Sequence, residues 1–497
     1  MADGPAEGPA GARTALGPAY AAALPGARAA VLTRLWRALA HEPLPWVTGR
    51  ERGSGSLALR LAGGGRLEGP LPDPYATGAY VTEVRLDGRP YGQAARLMAA
   101  LEVAHGSEFA AELDDSTASL ALSRAGRPAV DEAPPQTTWQ WEQRVVDGHP
   151  YHPNCRSRPG FSVAEQLAYA PEHRPVVELG LVAVPAGECL VTGAWPAELR
   201  DGGRLLVPVH PWQAEHVLKR EEVRPGFAAH PLMALRTLAP VGGGAHVKTA
   251  LSTRLTSSVR DISVYSIETA AAVSAFAQAL AERLDGRLHI TRTLGAATAY
   301  SPDLAAVLRE PPEMYAGTAA GERVVPVAAL AGTPFARSAH WRAAFARLAL
   351  SVCLRILDLG VALEAHGQNL LVVLSPAGAP LRLVYRDLAD IRISPARLAR
   401  HGLPVPPLSG RLITDDVTVL RRKLFGSLLT GALGATAGSA AALGEDLTRA
   451  VAGLPPTADT EALLTGPLPA KALTLMRLSP GVPGDQWAEL PNPLTGR

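Results

Sequence analysis

The sequence predicts an α+β protein, on three observations. Helical patterning fills the first part of the chain, strand patterning dominates residues 176–265, and a long apolar helix then leads into two apolar strands. Strands gathered in one run and helices in others are the pattern of that class.

In order along the chain, residues 1–27 carry early acids and repeated Pro and Gly, without a basic start and a clean apolar run. They are expected to be a mobile tail and not a signal peptide. Residues 28–145 form the first unit: VLTRLWRALAHE has apolar residues at helical spacing, and YVTEVRL alternates like a strand. Residues 146–345 form the second. It opens on a proline-studded segment, continues through the strand signals VVELGLVAV, RLLVPVHP, HVKTALS and SVYSI, and returns to helix with ETAAAVSAFAQALAERLDG. The long helix HWRAAFARLALSVCLRILDLG stops at Gly360, as a C-terminal glycine does. Residues 346–497 form the third unit, with the strand runs LLVVL and LRLVY and then mostly helix.

The chain has 497 residues, 47% of them hydrophobic, with a formal net charge of +2. That is ample for a core, and 48 basic against 46 acidic residues argue against a nucleic-acid-coating or membrane-surface protein. Cys155, Cys189 and Cys353 form no CxxC pair and give no disulfide framework, so a reducing cytoplasm is expected. The longest uncharged stretch, around SLLTGALGATAGSAAALG, is rich in Gly, Ala, Ser and Thr. It reads as a buried helix pair rather than a membrane span.

The segment EAHGQNLLVVLSPAGAPLRLVYRDLADI reads as a hairpin turning at SPAGAP. With Gly378 as pivot, Asn369 falls opposite Asp387 at the open end, and Glu364 and His366 lie just before it. Such an oxygen cluster suits Mg²⁺, a hard ion that takes one or two carboxylates and completes its shell with water and phosphate. Protein kinases use a similar device. The bland alternative is a hairpin end stabilised by Asn and Asp.

VGGGAHVKTALSTRLTSSVRD is a second cluster. Its glycines allow a backbone-exposing loop, Lys248 lies on the next strand, and Thr256, Ser257 and Arg260 form a TSxxR turn suited to an anion. It is not a Walker A loop. GHPYHPNCRSRPG is a third: prolines after His149 and His152 hold the backbone extended, and His149, His152, Arg156 and Arg158 are expected to face an anion. A zinc site needs four ligands, and Cys155 is the only sulfur nearby. HPWQ, from His210, reads as a structural strand end.

In order, GHPYHPNCRSRPG, ALRTL, KTALSTRLTSSVR, HGQN and RD resemble the motifs of the IucA/IucC family, the siderophore synthetases independent of non-ribosomal peptide synthetases (NIS synthetases). PAKALTLMRL near Lys471 and NPL at Asn492 resemble the family's C-terminal part. Two positions depart from its pattern: Arg156 replaces a lysine and Ala234 a serine, while Arg236 is kept. The resemblance implies a cupped, hand-like fold with thumb (28–145), fingers (146–345) and palm (346–497), the hairpin lying in the palm. It implies ATP and Mg²⁺. His152, Arg156, Arg158, Arg236, Lys248 and Arg260 would contact ATP, and Glu364, Asn369 and Asp387 would hold the metal. Thr256, Ser257, Arg260 and His366 would hold a carboxylate substrate, with Lys248, Arg260 and His366 as the catalytic set.

The chemistry so implied is adenylation of a polycarboxylic acid, citrate first among candidates with a citrate monoamide, 2-oxoglutarate or a succinylated hydroxamate as alternatives, followed by displacement of AMP by an amine, hydroxylamine or alcohol. A homodimer is the family's habit. Two rivals stand beside it: a kinase-like phosphotransferase, suggested by the Asn–Asp hairpin, and a ferric-siderophore binding or reductase protein. The scattered cysteines speak against an iron–sulfur reductase.

Overall fold

A computed structural model describes residues 9–127, 134–219, 222–255 and 258–495. An antiparallel meander of five strands, from Val47–Arg52 to Arg89–Tyr91, packs with the helices Pro9–His41, Ala94–Ala100 and Gly106–Ala125 around Trp36, Leu59, Leu67 and Phe109. Leu478, from near the other end of the chain, completes this core. The segment expected as a tail is helical from Pro9 onward, and its last residue, Ala27, is buried. Its alanines favour helix, but Pro18 and Pro25 lie inside the helix and oppose it. YVTEVRL forms only the short strand Val84–Leu86.

A nine-stranded antiparallel sheet occupies the centre. Its order runs Leu190–Gly193, Thr293–Ser301, Leu304–Arg309, His246–Thr249, Thr237–Pro240, Arg224–Pro231, Val177–Pro185, Arg204–Val209 and Arg200–Asp201. The register places Thr237 opposite Lys248, and Lys248 opposite Val307, so three strands meet beside that lysine. SVYSI is not a strand. Ser263 caps the helix Val264–Ala281 by accepting from the Ser266 N–H, and the alanine-rich run behind it carries the helix. His210 is buried and caps the short turn Pro211–Gln213, the structural role expected of it.

The helix Ala339–Leu359 is the axis of the largest core. Thirteen of its 21 residues are buried, so it is enclosed on more than one face. Gly360 ends it at φ 120°. The boundary expected between residues 345 and 346 falls inside this helix, which is continuous there. A four-stranded mixed sheet also crosses that boundary, joining Leu288–Ile290 and Arg323–Pro326 to the hairpin Leu370–Leu374 and Pro380–Tyr385.

The hairpin forms, with a different register. Leu374 pairs with Pro380 but Val373 with Arg382, so Leu381 bulges and the pivot is Ala377. Beyond the bulge Leu370 faces Tyr385, and the Arg386 N–H donates to the Asn369 carbonyl. Asn369 therefore lies opposite Arg386 rather than Asp387: the turn centres one residue earlier than Gly378, which moves each pair by two, and the bulge restores one of the two. No single helix among the described residues is long and apolar enough to cross a membrane; Val417–Ala437 and Ala440–Val451 pass on length and composition only as a pair bent by 116°.

Candidate active site

Residues from Arg34 to Asp485 line a cleft of about 1380 Å³. Every described residue expected in the site lines it: His152, Arg156 and Arg158, then Arg236, Lys248 and Arg260, then Glu364, His366, Asn369 and Asp387. Thr256 and Ser257 lie outside the described residues.

The strand His246–Thr249 presents Lys248, whose Nζ lies 2.7 Å from Asp387 Oδ2. Arg309, two residues along the neighbouring strand from Val307, reaches Asp387 Oδ1 at 2.9 Å. Burial alone would raise the Asp387 carboxyl, but Arg309 and Lys248 hold it well below the usual carboxylate range. Burial pulls Lys248 down to about 7 against the attraction of Asp387. Arg236 donates to the carbonyls of Arg260 and Asp261, the latter at 2.7 Å, and burial followed by the Arg260 charge lowers it to about 10. Cation thus outweighs anion on this side of the cleft.

A second ionic group sits opposite. Glu364 Oε1 meets Lys471 at 2.9 Å and Lys423 at 3.2 Å; Lys423 also meets Asp390 at 2.5 Å, and both lysines approach Asp485. Burial would raise the Asp390 carboxyl, yet Lys423 and Arg392 hold it at about 2. The tight turn of HGQN places His366 Nε2 3.9 Å from Glu364 Oε2, while Nδ1 accepts from the Gln368 N–H. Asn369 Nδ2 donates to the Glu364 carbonyl, which fixes the amide oxygen on the other side. Two carboxylates and an amide oxygen are a hard-donor set whose chemistry fits Mg²⁺. Their present partners are cationic: Lys423 and Lys471 for Glu364, and Lys248 and Arg309 for Asp387.

The His-Pro loop departs from expectation. Arg156 and Arg158 both turn onto Glu172, at 3.3 and 2.6 Å, and Arg156 also donates to the carbonyls of Val145 and Val146. All three side chains are buried, and burial is outweighed by the two guanidiniums, which hold the Glu172 carboxyl far below its ordinary value. These arginines therefore brace the loop from within the cleft wall. His152 is 3% exposed with neither ring nitrogen hydrogen-bonded, and burial pulls it down to about 3.

Sequence reasoning gave no role to Arg309, Lys423, Asp390 or Asp485. Lys423 carried a local signal, the last of three basic residues leading into the apolar run LFGSLL. Arg309 carried none, since its place depends on a strand register between segments 60 residues apart.

Residues 137–332 match the IucA / IucC family, and residues 339–480 match the ferric iron reductase FhuF-like transporter family. The chain is 24% identical over 351 residues to the Staphylococcus aureus 2-[(L-alanin-3-ylcarbamoyl)methyl]-3-(2-aminoethylcarbamoyl)-2-hydroxypropanoate synthase, covering 57% of this chain and 56% of that protein. It is 25% identical over 312 residues to a Bacillus anthracis citryl-spermidine/3,4-dihydroxybenzoyl-citryl-spermidine:spermidine ligase, covering 50% of each. The chain thus spans about half the length of the curated relatives it matches. Its fold superposes on the ATP-bound aerobactin synthetase IucA of Klebsiella pneumoniae with a TM-score of 0.72 and 20% identity, over 94% of this chain and 99% of that one. The family match encloses the His-Pro loop, the ALRT turn and the Lys248 strand, the segments that give the cleft its basic wall, and over residues 137–332 the chain is similar to the IucA/IucC family.

Proposed function

We propose that the chain is an NIS synthetase: an ATP-dependent ligase that activates a polycarboxylic acid and joins it to an amine, hydroxylamine or alcohol in siderophore assembly. The observation that carries this reading is the convergence of Lys248 and Arg309 on Asp387, with Arg236 and Arg260 beside them. ATP and a carboxylate repel each other, and fixed cations in a shielded cleft offset that repulsion while aligning the two. Citrate is the first candidate, because the Bacillus anthracis relative is named for citryl substrates.

A carboxylate oxygen attacks the α-phosphorus of ATP, the bond from that phosphorus to the bridging oxygen breaks, and pyrophosphate leaves. The nucleophile's nitrogen or oxygen then attacks the acyl carbon, loses its proton, and AMP departs with the bonding pair. Lys248, Arg236 and Arg260 hold phosphate oxygens, joined by Arg309 and by His152. Arg260 and His366, with Thr256 and Ser257, hold the carboxylate. Mg²⁺ held by Glu364, Asn369 and Asp387 would neutralise charge on the phosphates. Arg156 and Arg158 act at one remove, through the loop they brace.

In this reading residues 28–145, 146–345 and 346–497 are the thumb, fingers and palm of a cupped hand, with a kinase-like hairpin in the palm. The protein works in the cytoplasm as a homodimer on small molecules, apart from nucleic acid and membrane. Release of AMP and pyrophosphate, measured with citrate and a panel of amines, tests the chemistry; release of ADP would favour a phosphotransferase instead.

The FhuF-like match over residues 339–480 favours a second reading, reduction of a ferric chelate. An iron–sulfur centre does not fit the thiols there: Cys353 is the one cysteine in that stretch, and burial pushes it up to about 12. Ferrous iron appearing from a ferric siderophore with an electron donor and without ATP would support that reading.

A further inference from the structure

Two non-glycine residues of the cleft have left-handed backbones. Leu235, in the ALRT turn, has φ 61°, and Asp387 has φ 73°. Each stands next to an arginine that lines the cleft, Arg236 and Arg386. Such conformations persist only where the surroundings hold them. For Leu235 part of the hold is its side chain, packed with Phe161, Trp212, Leu251 and Leu255. The rest leads to one buried carboxylate.

Glu142 is 1% exposed and ends the helix Thr138–Glu142, whose first N–H is taken by Glu313 at 2.6 Å. Glu142 Oε2 accepts from the Met233 N–H at 2.9 Å, two residues before Leu235. Its Oε1 lies 2.8 Å from Arg386 Nη1, off the line of a directed hydrogen bond, so the contact is an ion pair first. Arg386 in turn donates through Nε and Nη2 to the Gln368 carbonyl, inside HGQN, at 3.1 and 3.0 Å. Three motifs distant in sequence are tied to one side chain that belongs to none of them.

We propose that Glu142 is a positioning residue, which with Arg386 clamps the strained turns at Leu235 and Asp387 so that Arg236 and Asp387 face each other across the nucleotide end of the cleft. The nucleotide role rests on the ligase reading above; the clamp itself rests on the geometry alone. A carboxylate suits the task because it can accept from the Met233 amide and neutralise Arg386 at once. Glutamine keeps the amide acceptor and the volume but gives up the charge.

The test uses Glu142→Gln, with Arg386→Lys as a second variant should the first fail to fold, and reads two quantities. Hydrogen–deuterium exchange over residues 232–237 and 385–388 is expected to speed up at both turns together and by more than elsewhere in the protein, while the melting temperature falls because Arg386 is left as uncompensated buried charge. KM for ATP is expected to rise about tenfold or more with a smaller change in kcat. In Arg386→Lys, which keeps the charge, the loss is expected to be smaller than in Arg386→Gln. A folded Glu142→Gln protein with exchange altered at one turn or at neither overturns the clamp, and an unchanged KM overturns its positioning role at the nucleotide end. Wild-type protein that turns over no ATP would sink the ligase reading instead, and the exchange measurement would still decide the clamp.

Discussion

Lys248 Nζ lies 2.7 Å from Asp387 Oδ2, tying the central sheet to the end of the hairpin across the cleft. Asp387 keeps a second partner in Arg309. Lys248→Ala therefore leaves the carboxylate paired, and its cost in stability is expected to be on the order of 1–3 kcal/mol. Its effect on AMP formation is expected to be far larger, at about 10²-fold or more, because a phosphate-holding cation is gone. Urea titration and a steady-state AMP assay on one preparation separate the two effects.

Glu172 faces the opposite situation, with two buried arginines depending on it. Glu172→Gln is expected to cost about 3–5 kcal/mol by leaving buried charge uncompensated. The wild-type carboxyl sits far below its ordinary value of 4.5 in the folded state. Its contribution is therefore present above that value and lost as pH falls below it. Unfolding midpoints at pH 7 and pH 4 should differ less in the variant than in the wild type.

Glu42 carries the reverse sign. It accepts from the Thr474 and Leu475 N–H groups, at 3.2 and 2.7 Å, and so joins the N-terminal core to the helix Leu473–Leu478. Burial outweighs those bonds and raises its carboxyl to about 7. The folded state then holds the proton more tightly, so this contribution is complete below pH 4.5 and is lost as pH rises through 7, by about 3 kcal/mol. Glu42→Gln should flatten the fall in stability between pH 5 and pH 8, as read by thermal melts.

Gly367 carries HGQN past the chain at Ala328, whose N–H it accepts at 2.8 Å. A Cβ at Gly367 would stand 3.0 Å from that nitrogen and 3.1 Å from the Ala328 Cα, so backbone would have to move. Gly367→Ala should displace His366 and Asn369 and lower kcat by about 10²-fold, with a modest change in melting temperature.

Local pattern made much of this molecule legible. The helix Ala339–Leu359 and its stop at Gly360 follow from apolar spacing and a terminal glycine, and the two hairpin strands from runs of Leu and Val. The facing of Asn369 was not legible, because it depends on both where the turn centres and the bulge at Leu381, neither of which the turn residues alone fix. The same limit explains the site. Lys248 and the His-Pro loop stand out as basic residues beside Gly and Pro, whereas the commitment of Arg156 and Arg158 to Glu172 is decided by how the loop folds back. Capping decided the start of the helix Val264–Ala281, where one serine outweighed a strand-like run.

The most direct test of the central claim is exchange of labelled pyrophosphate into ATP, with the carboxylic acid present and no nucleophile added. The account predicts exchange that depends on the acid, citrate first among those tried, and that is lost in Lys248→Ala and Arg260→Ala. Exchange independent of every acid, or near-normal exchange in both folded variants, would contradict it.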